Sequence, residues 1–462
     1  MQLFFWRNRR MNEDRDLTKG KPLSLILSFA FSLIVGNVFQ QLYIIVDSII
    51  IGQKVGAKGL SAIGGTDWYI FLVNGFVIGL IQGFSVLLGN KYGEKDEAAF
   101  SQYYKKAKAI CFGLAISLVA LLLGTSGFVL RVLDTKDEVF SFAKTYVDVI
   151  FAGLPFLIFY QLFAAVLRSR GNSKIHLMAM TVSSLCNIVL DILFVSALNM
   201  GIGGAALGTI LSECLVMLIC GYNVYKNRQG ISDATSAKSS GLKSGFTVVK
   251  ELMTIGLPMA LQSVITAIGG LIVINRINQY ELSFLTGYTI AGKIYALLEI
   301  AASSYGLAVV AYVSQNMGAK DYERVRSGVK VSVLLGIITA LSCSVVMIIF
   351  GQPLMKLFID TGTANAKVFS YGYNYLQVLA AFFPLLYILY IVRSTLQGMG
   401  NSIIPMLSSF AQLIMRVACA IFLTRIIGYY GIYFGEICAW ALADCILIIT
   451  YFITTRGIPC NL

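Results

Sequence analysis

The sequence contains a single histidine and little charge. Of its 462 residues, 13% are Asp, Glu, Lys or Arg and 57% are hydrophobic, whereas soluble chains carry about 25% charge. His176 alone cannot supply the paired histidines of a zinc hydrolase, and the nine cysteines include no CxxC pair, so no metal centre or disulfide framework is indicated. The apolar segments hold no Ser/His or Cys/His pair either, so we do not expect an enzyme.

Long apolar runs make up most of the chain. Segments long enough to cross a bilayer fall at about 23–51, 62–89, 107–133, 139–167, 175–198, 202–225, 249–275, 283–313, 329–351, 366–396, 402–427 and 430–455. The sequence therefore predicts an all-α polytopic membrane protein with about twelve transmembrane helices, numbered here as spans 1–12. Lysine and arginine concentrate in alternate loops, which predicts that both termini are cytoplasmic. The net charge of +13 thus reflects membrane orientation, and no nucleic-acid partner is expected.

The two halves of the chain repeat. The repeated stretches are Tyr146–Pro155 with Tyr375–Pro384, Leu167–Ser173 with Leu396–Ser402, and Gly93–Asp96 with Gly318–Asp321. Repeated six-helix bundles are a recurrent transporter design, with the substrate path between them. We therefore expect two pseudo-symmetric bundles. The predicted divisions are a cytoplasmic leader (1–21), the first bundle (22–226), a Gly/Ser-rich cytoplasmic linker (227–248), the second bundle (249–456) and a cytoplasmic tail (457–462).

An acidic residue, Asp47, interrupts the apolar run of span 1. Burying an ionised Asp in hydrocarbon costs several kcal/mol, so its side chain must face a protein interior or a water-filled cavity. Gln40 and Tyr43 lie on the same helical face as Asp47. This face is either a functional site or a structural contact with a neighbouring helix, and ionisable groups inside a membrane favour the functional interpretation.

A second polar face lies in span 5, where Asn187 and Asp191 are one turn apart. Thr209 follows the small residues of span 6, which allow close helix packing. With the predicted topology, Asp47, Asp191 and Thr209 all lie roughly 6–11 Å from the outer ends of their helices. Two carboxylates, an amide and a hydroxyl could therefore meet and bind H⁺ or Na⁺, unless they form a purely structural hydrogen-bond cluster.

Three further charged residues, Glu213, Arg416 and Glu436, lie within predicted spans. Glu213, one turn below Thr209, belongs either to the same cluster or to a gate beneath it. Arg416 and Glu436 occupy spans 11 and 12, and we expect them to pair because an unpaired guanidinium in hydrocarbon is expensive. In the rival interpretation, Arg416 faces the cavity and Glu436 binds substrate cations directly.

Several stretches together resemble the multidrug and toxic compound extrusion (MATE) family, and its DinF-like bacterial branch in particular. They are Ser32–Gly52, Leu167–Ser173, the Asn187 and Asp191 pair, Gly204–Ala206 before Thr209, and Gln315–Ala319. The resemblance covers about residues 17 to 455. It implies a V-shaped pair of six-helix bundles that exports drugs against an inward gradient of H⁺ or Na⁺. It also implies that Gln40, Asp47, Asn187, Asp191 and Thr209 form the coupling site. Tyr43 and Glu213 are candidate accessory residues because of their positions in spans 1 and 6.

The chain departs from the family pattern at three positions. The usual first-helix proline is Ser32, which removes the expected cause of bending in that helix. The glutamate of span 7 in the NorM-like branch is Gln262, and the aspartate of span 10 is replaced near Tyr387. A NorM-type cation site is therefore not expected in the second half.

The expected function is secondary active efflux of amphipathic, cationic compounds in exchange for H⁺ and/or Na⁺, without another cofactor. The alternative is a flippase for lipid-linked precursors, but such cavities present several basic residues to a pyrophosphate, and only Lys293 and Arg416 lie in mid-span. We expect a monomer in the bacterial inner membrane, in contact with lipid and small-molecule substrates.

Overall fold

The computed structural model describes residues 15–226, 243–358 and 366–456. The predicted leader (in part), most of the linker and the C-terminal tail lie outside these ranges. The helices are α1 (Pro22–Lys54), α2 (Ala57–Gly93), α3 (Glu97–Val132), α4 (Asp137–Ala152), α5 (Leu154–Ser169), α6 (Lys174–Asp191), α7 (Gly201–Lys226), α8 (Gly245–Ile277), α9 (Leu282–Gly318), α10 (Tyr322–Met355), α11 (Ala366–Gly398), α12 (Ile403–Ala418), α13 (Thr424–Ile427) and α14 (Tyr430–Arg456). Two π-helical segments, Ile192–Ala197 and Cys419–Leu423, follow α6 and α12.

The helices confirm the expected class of fold. Within the described ranges every regular element is helical. Eleven of these helices are long and apolar enough to cross a membrane, and the total is twelve when α4 and α5 count as one bent span. The protein is therefore an all-α, multi-pass membrane protein.

Span 4 is broken, although its sequence is one continuous apolar run. The helices α4 and α5 meet at Gly153 with a bend of 44°. Pro155 occupies the first turn of α5, where its missing N–H costs no helical hydrogen bond. In the second half, the equivalent Pro384 lies inside the unbroken helix α11. The proline pattern alone therefore did not predict which of the two spans is divided.

The internal repeat extends to the conformation of the backbone. Asp96 caps α3 by accepting a hydrogen bond from the Ala99 N–H at 2.9 Å, and Asp321 caps α10 in the same way from Arg324 at 3.0 Å. The residues before these caps, Lys95 and Lys320, both adopt left-handed conformations, with φ of 58° and 59°. Both halves also place a π-helical segment after the corresponding helix, α6 or α12. The two halves therefore share local structure as well as sequence.

The chain forms two compact units, whose boundaries lie inside α1 and α8. Unit 1 contains Phe31–Leu257 together with the described residues before Leu17, and unit 2 contains Leu17–Ala30 and the chain from Pro258 onward. The first part of α1 thus belongs to unit 2 and the rest of α1 to unit 1. The first part of α8 belongs to unit 1 and the rest of α8 to unit 2. The bundle limits predicted from the sequence remain a prediction.

Close contacts hold the beginning of α8 in unit 1. The Tyr103 hydroxyl donates to Glu251, whose other oxygen lies 2.5 Å from Lys243 Nζ. Further along α8, a Cβ on Gly83 would overlap the backbone of Gly256. The two helices can therefore approach this closely only because both positions are glycine.

A set of hydrogen bonds holds the segment before α1 in unit 2. Leu17 is buried, and its N–H donates to Gln315 Oε1 at 2.9 Å. Its carbonyl accepts from Asn316 Nδ2 at 3.3 Å and from Arg324 Nη2 at 3.2 Å, while Arg324 Nη1 donates to the Gly20 carbonyl at 3.0 Å. These contacts give Gln315 and Asn316, which contributed to the family resemblance, a structural role.

Candidate functional site

Unit 1 brings together three buried polar residues from α1 and α6. Asp47 is 7% exposed, and Asn187 and Asp191 are fully buried. Asp47 and Asp191 lie near enough for their charges to interact. Asp191 is the last residue of α6 before the π-helical segment, a kind of irregularity that often occurs at functional sites. We refer to Asp47, Asn187 and Asp191 as the acid cluster.

Helix α7 packs directly against the acid cluster. A Cβ on Gly208 would lie 2.5 Å from Asp191 Oδ1, so glycine is needed for this approach. Thr209 is the next residue along α7, and its side chain is partly exposed. The structure therefore brings Gly208 to the acid cluster, whereas a direct contact of Thr209 with the cluster remains a prediction.

Tyr43 connects the acid cluster with Gln40 and Glu213. Its side chain is hydrogen-bonded to Gln40, and it lies within electrostatic range of Asp47, Asp191 and Glu213. Glu213 is partly exposed on α7, one turn beyond Thr209. The two accessory residues proposed from the sequence, Tyr43 and Glu213, are thus neighbours in unit 1.

Several oxygens of the acid cluster accept no hydrogen bond within the described part of the chain. They are Asp47 Oδ1, Asn187 Oδ1 and both carboxylate oxygens of Asp191, and the Asn187 amide nitrogen likewise donates none. A buried polar atom without a partner costs about 1–3 kcal/mol, and more if it is charged. A bound proton or a small cation with oxygen ligands would remove much of this cost.

The described residues contain no group of three His, Cys, Asp or Glu side chains arranged to hold a metal ion. The acid cluster has two carboxylates and one amide, which is a weak set for a divalent metal. Its chemistry is therefore better suited to a monovalent ion or a proton.

A further acidic residue, Asp67, lies near the acid cluster and was not identified from the sequence. Asp67 is exposed on α2, and its charge interacts with that of Asp47. The buried Tyr146 lies within electrostatic range of both carboxylates. Because Asp67 lies within the apolar run of span 2, the rule that identified Asp47 could also have identified it.

Unit 2 contains a closed ion pair between α12 and α14. Arg416 Nη2 lies 2.7 Å from Glu436 Oε2, and the two side chains are 16% and 13% exposed. A Cβ on Gly435, next to Glu436, would lie 3.2 Å from the Cβ of Cys419, so the two segments pack tightly here. The structure therefore joins the two charged residues singled out in the second half, and the effect of the pair on stability or transport stays a prediction.

Glu299 on α9 lies near this ion pair and was not identified from the sequence. It accepts a hydrogen bond from the Tyr390 hydroxyl at 2.9 Å and another from Tyr295. Its charge interacts with those of Glu436 and Arg416. Unit 2 thus has an acidic residue of its own, held by tyrosine hydroxyls.

The positions that are acidic in the NorM-like branch are occupied by uncharged, hydrogen-bonded side chains. Gln262 Oε1 accepts from Gln397 Nε2 at 3.0 Å, and the Tyr387 hydroxyl donates to the Leu298 carbonyl at 3.3 Å. These groups carry no charge that could attract a cation.

An all-helical membrane protein with two related halves and buried carboxylates inside its spans has the construction of a membrane transporter. Two segments of the chain, 32–193 and 258–422, match the model of the MatE family and together cover more than half of it. The chain therefore belongs to this family, the multidrug and toxic compound extrusion transporters, and the sequence resemblance is confirmed.

Several known proteins are similar over nearly the whole chain. The probable multidrug resistance protein YpnP of Bacillus subtilis is 26% identical over 440 residues, which cover 94% of this chain and 96% of that protein. The multidrug export protein MepA of Staphylococcus aureus is 23% identical over 446 residues, 95% of each chain. A solved structure of a MOP superfamily transporter from Pyrococcus furiosus matches with a TM-score of 0.88 at 20% identity, over 96% of this chain and 98% of that one. At this identity, the structural match shows a shared fold.

Proposed function

We propose that this protein is a secondary active multidrug exporter that exchanges amphipathic, cationic compounds for H⁺ and/or Na⁺. The acid cluster is the coupling site in this proposal, with Gln40, Tyr43, Thr209 and Glu213 around it. Relatives named as multidrug resistance or export proteins, YpnP and MepA among them, support the efflux function. The choice of ion and of cationic substrates rests on the chemistry of the residues.

The observation that carries the proposal is the pair of interacting, buried carboxylates at Asp47 and Asp191. Asp47 Oδ1 and both carboxylate oxygens of Asp191 accept no hydrogen bond from the described residues. Like charges at close range in a low-dielectric interior favour binding of a proton or cation. Because the two groups interact, they should bind protons as a pair rather than independently. Such a site can gain and lose an ion during each transport cycle.

Coupling requires that the ion and the exported compound favour different conformations. A ligand that binds two conformations equally well shifts no equilibrium between them. The acid cluster should therefore bind its ion more tightly in one conformation, and the substrate should favour the other. Substrate binding would then promote release of the ion.

We further propose that the protein lies in the bacterial cell membrane as a monomer with both termini in the cytoplasm. The distribution of lysine and arginine among the loops supports this orientation.

A transport assay with separate ion gradients tests the proposed function. In everted vesicles that contain the protein, a fluorescent cationic dye should accumulate when a pH gradient, a Na⁺ gradient or both are imposed across the membrane. Vesicles without the protein provide the background. Dye movement that is independent of both gradients would contradict antiport, and transport of a lipid-linked pyrophosphate in place of dyes would support the flippase alternative.

Substrate binding should also release the coupling ion from purified protein in detergent. We expect protons to appear in a weakly buffered solution, or Na⁺ at a Na⁺-selective electrode, as the cationic dye saturates the protein. The release should be absent in Asp47→Asn and unchanged in Glu138→Gln, because Glu138 belongs to an exposed surface pair with Lys58. No release from the unmodified protein at saturating dye would mean that binding is uncoupled from the ion.

A further inference from the structure

Unit 2 contains a buried carboxylate that the acid cluster does not involve. Asp444 on α14 is 5% exposed, and neither of its side-chain oxygens accepts a hydrogen bond from the described residues. An ionised carboxylate in this situation would bear the full cost of desolvation. The groups around Asp444 must therefore offset this cost if the carboxylate is ionised.

The opposite charge that acts on Asp444 is that of Arg393 on α11. Arg393 is 8% exposed, and its Nε and Nη2 atoms donate no hydrogen bond to any described residue. The charges of Arg393 and Asp444 interact across the space between α11 and α14, but the carboxylate oxygens remain without a partner. Arg416 and Glu436 are in direct contact at 2.7 Å in the same unit, whereas Arg393 and Asp444 are not hydrogen-bonded to each other.

Other polar groups lie on the elements that pack against α14, and the charged residue of α13, Arg425, is exposed. From α11, Tyr390 lies one turn before Arg393 and donates to Glu299 of α9. From α12, the charge of Arg416 reaches Arg393. From the π-helical segment, Cys419 faces Cys438 of α14.

Acidic side chains outnumber basic ones among these interacting residues. The carboxylates are those of Asp444, Glu299 and Glu436, whereas the guanidinium groups are those of Arg393 and Arg416. Three acids and two bases leave one negative charge in a low-dielectric interior, and one bound positive charge would neutralise it. Glu436 is paired and Glu299 accepts two tyrosine hydrogen bonds, so Asp444 is the acid without a partner.

We propose that Asp444 is a second proton-binding site, independent of the acid cluster. A proton from water binds one carboxylate oxygen while Arg393 is held apart, and it returns to water when the guanidinium moves into direct contact with the carboxylate. A proton suits this site better than a metal cation, because a cation needs several oxygen ligands and would be repelled by Arg393. The pair thus acts as a proton-linked switch inside unit 2.

Infrared spectroscopy of the purified full-length protein tests the proposal, because a carboxylic acid and a carboxylate absorb at separate frequencies. At neutral pH, Asp444→Asn should lose a carboxylic-acid band that the unmodified protein has, and Asp444→Glu should shift this band rather than remove it. Arg393→Gln should retain the band to higher pH, because the group that ionises Asp444 is missing. Asp148→Asn is the control: Asp148 pairs with Lys144 and accepts from Ser126 at 2.6 Å, so the carboxylic-acid region should not change.

The proposal is overturned if the carboxylic-acid region of Asp444→Asn matches that of the unmodified protein, since Asp444 would then be ionised throughout. If Asp444→Asn does not fold, an unshifted spectrum in Asp444→Glu together with an unchanged pH dependence in Arg393→Gln would overturn it equally. The bands of Asp47 and Asp191 should persist in all these variants. The result therefore does not depend on whether the acid cluster couples transport.

Discussion

Replacing either Asp47 or Asp191 by asparagine is expected to reduce gradient-driven efflux to the background of vesicles without the protein. Asparagine has nearly the same shape but can neither take up a proton nor supply an anionic ligand. Since both carboxylates are buried and interact, the loss of one also changes ion binding at the other. The measurement is the initial rate of dye accumulation in everted vesicles, normalised to the amount of protein in the membrane.

Membrane insertion and thermal stability should remain close to those of the unmodified protein, because a neutral side chain is cheaper to bury than a charged one. Glu138→Gln is the matched control, as it removes an exposed carboxylate of the same unit, and its efflux should be normal. Asp67→Asn should retain part of the activity, because Asp67 is exposed and interacts with Asp47 from outside the acid cluster. Full transport by either Asp47→Asn or Asp191→Asn would remove that residue from the coupling mechanism.

The membrane-spanning helices could be predicted because length and hydropathy are local properties of the sequence. The bend at Gly153 could not, since the run from 139 to 167 is apolar on both sides of it and the equivalent Pro384 lies in an unbroken helix. The boundary between the two units at Ala30 and Phe31 could not be predicted from the sequence either. It depends on contacts between distant residues, such as those of Leu17 with Gln315 and Arg324, which no local pattern contains.

Residues of the candidate site could be predicted from the sequence where an acidic residue interrupts an apolar run. Asp47 and Asp191 were found in this way, and the same rule applies to Asp67, Glu299 and Asp444, which were missed. What sequence could not provide is which of these acids lack a partner. That property depends on the side chains that other helices bring near them: tyrosine hydroxyls surround Glu299, whereas the oxygens of Asp444 accept no hydrogen bond from the described residues.

The second large effect is expected at the ion pair between Arg416 and Glu436. Either Arg416→Met or Glu436→Gln should lower the free energy of unfolding by about 3–5 kcal/mol if the remaining partner is left as an uncompensated charge. The double variant should recover most of this loss, because neither charge is then buried. Thermal unfolding in detergent and the yield of folded protein would measure the effect.

An exposed pair of the same unit is the control for this double-mutant cycle. Lys367 Nζ lies 3.8 Å from Glu281 Oε2, with side chains 72% and 46% exposed, so Lys367→Met should change stability by no more than about 1 kcal/mol. The Glu436→Gln variant also tests the rival interpretation. If Glu436 binds substrate, this variant should remain stable and lose only the efflux of cationic dyes. In that case the 2.7 Å contact would not be needed for stability, and Glu436 would belong to the substrate site. Recovery of stability in the double variant, without recovery of transport, would instead establish a structural pair that also keeps unit 2 in its transport-competent form.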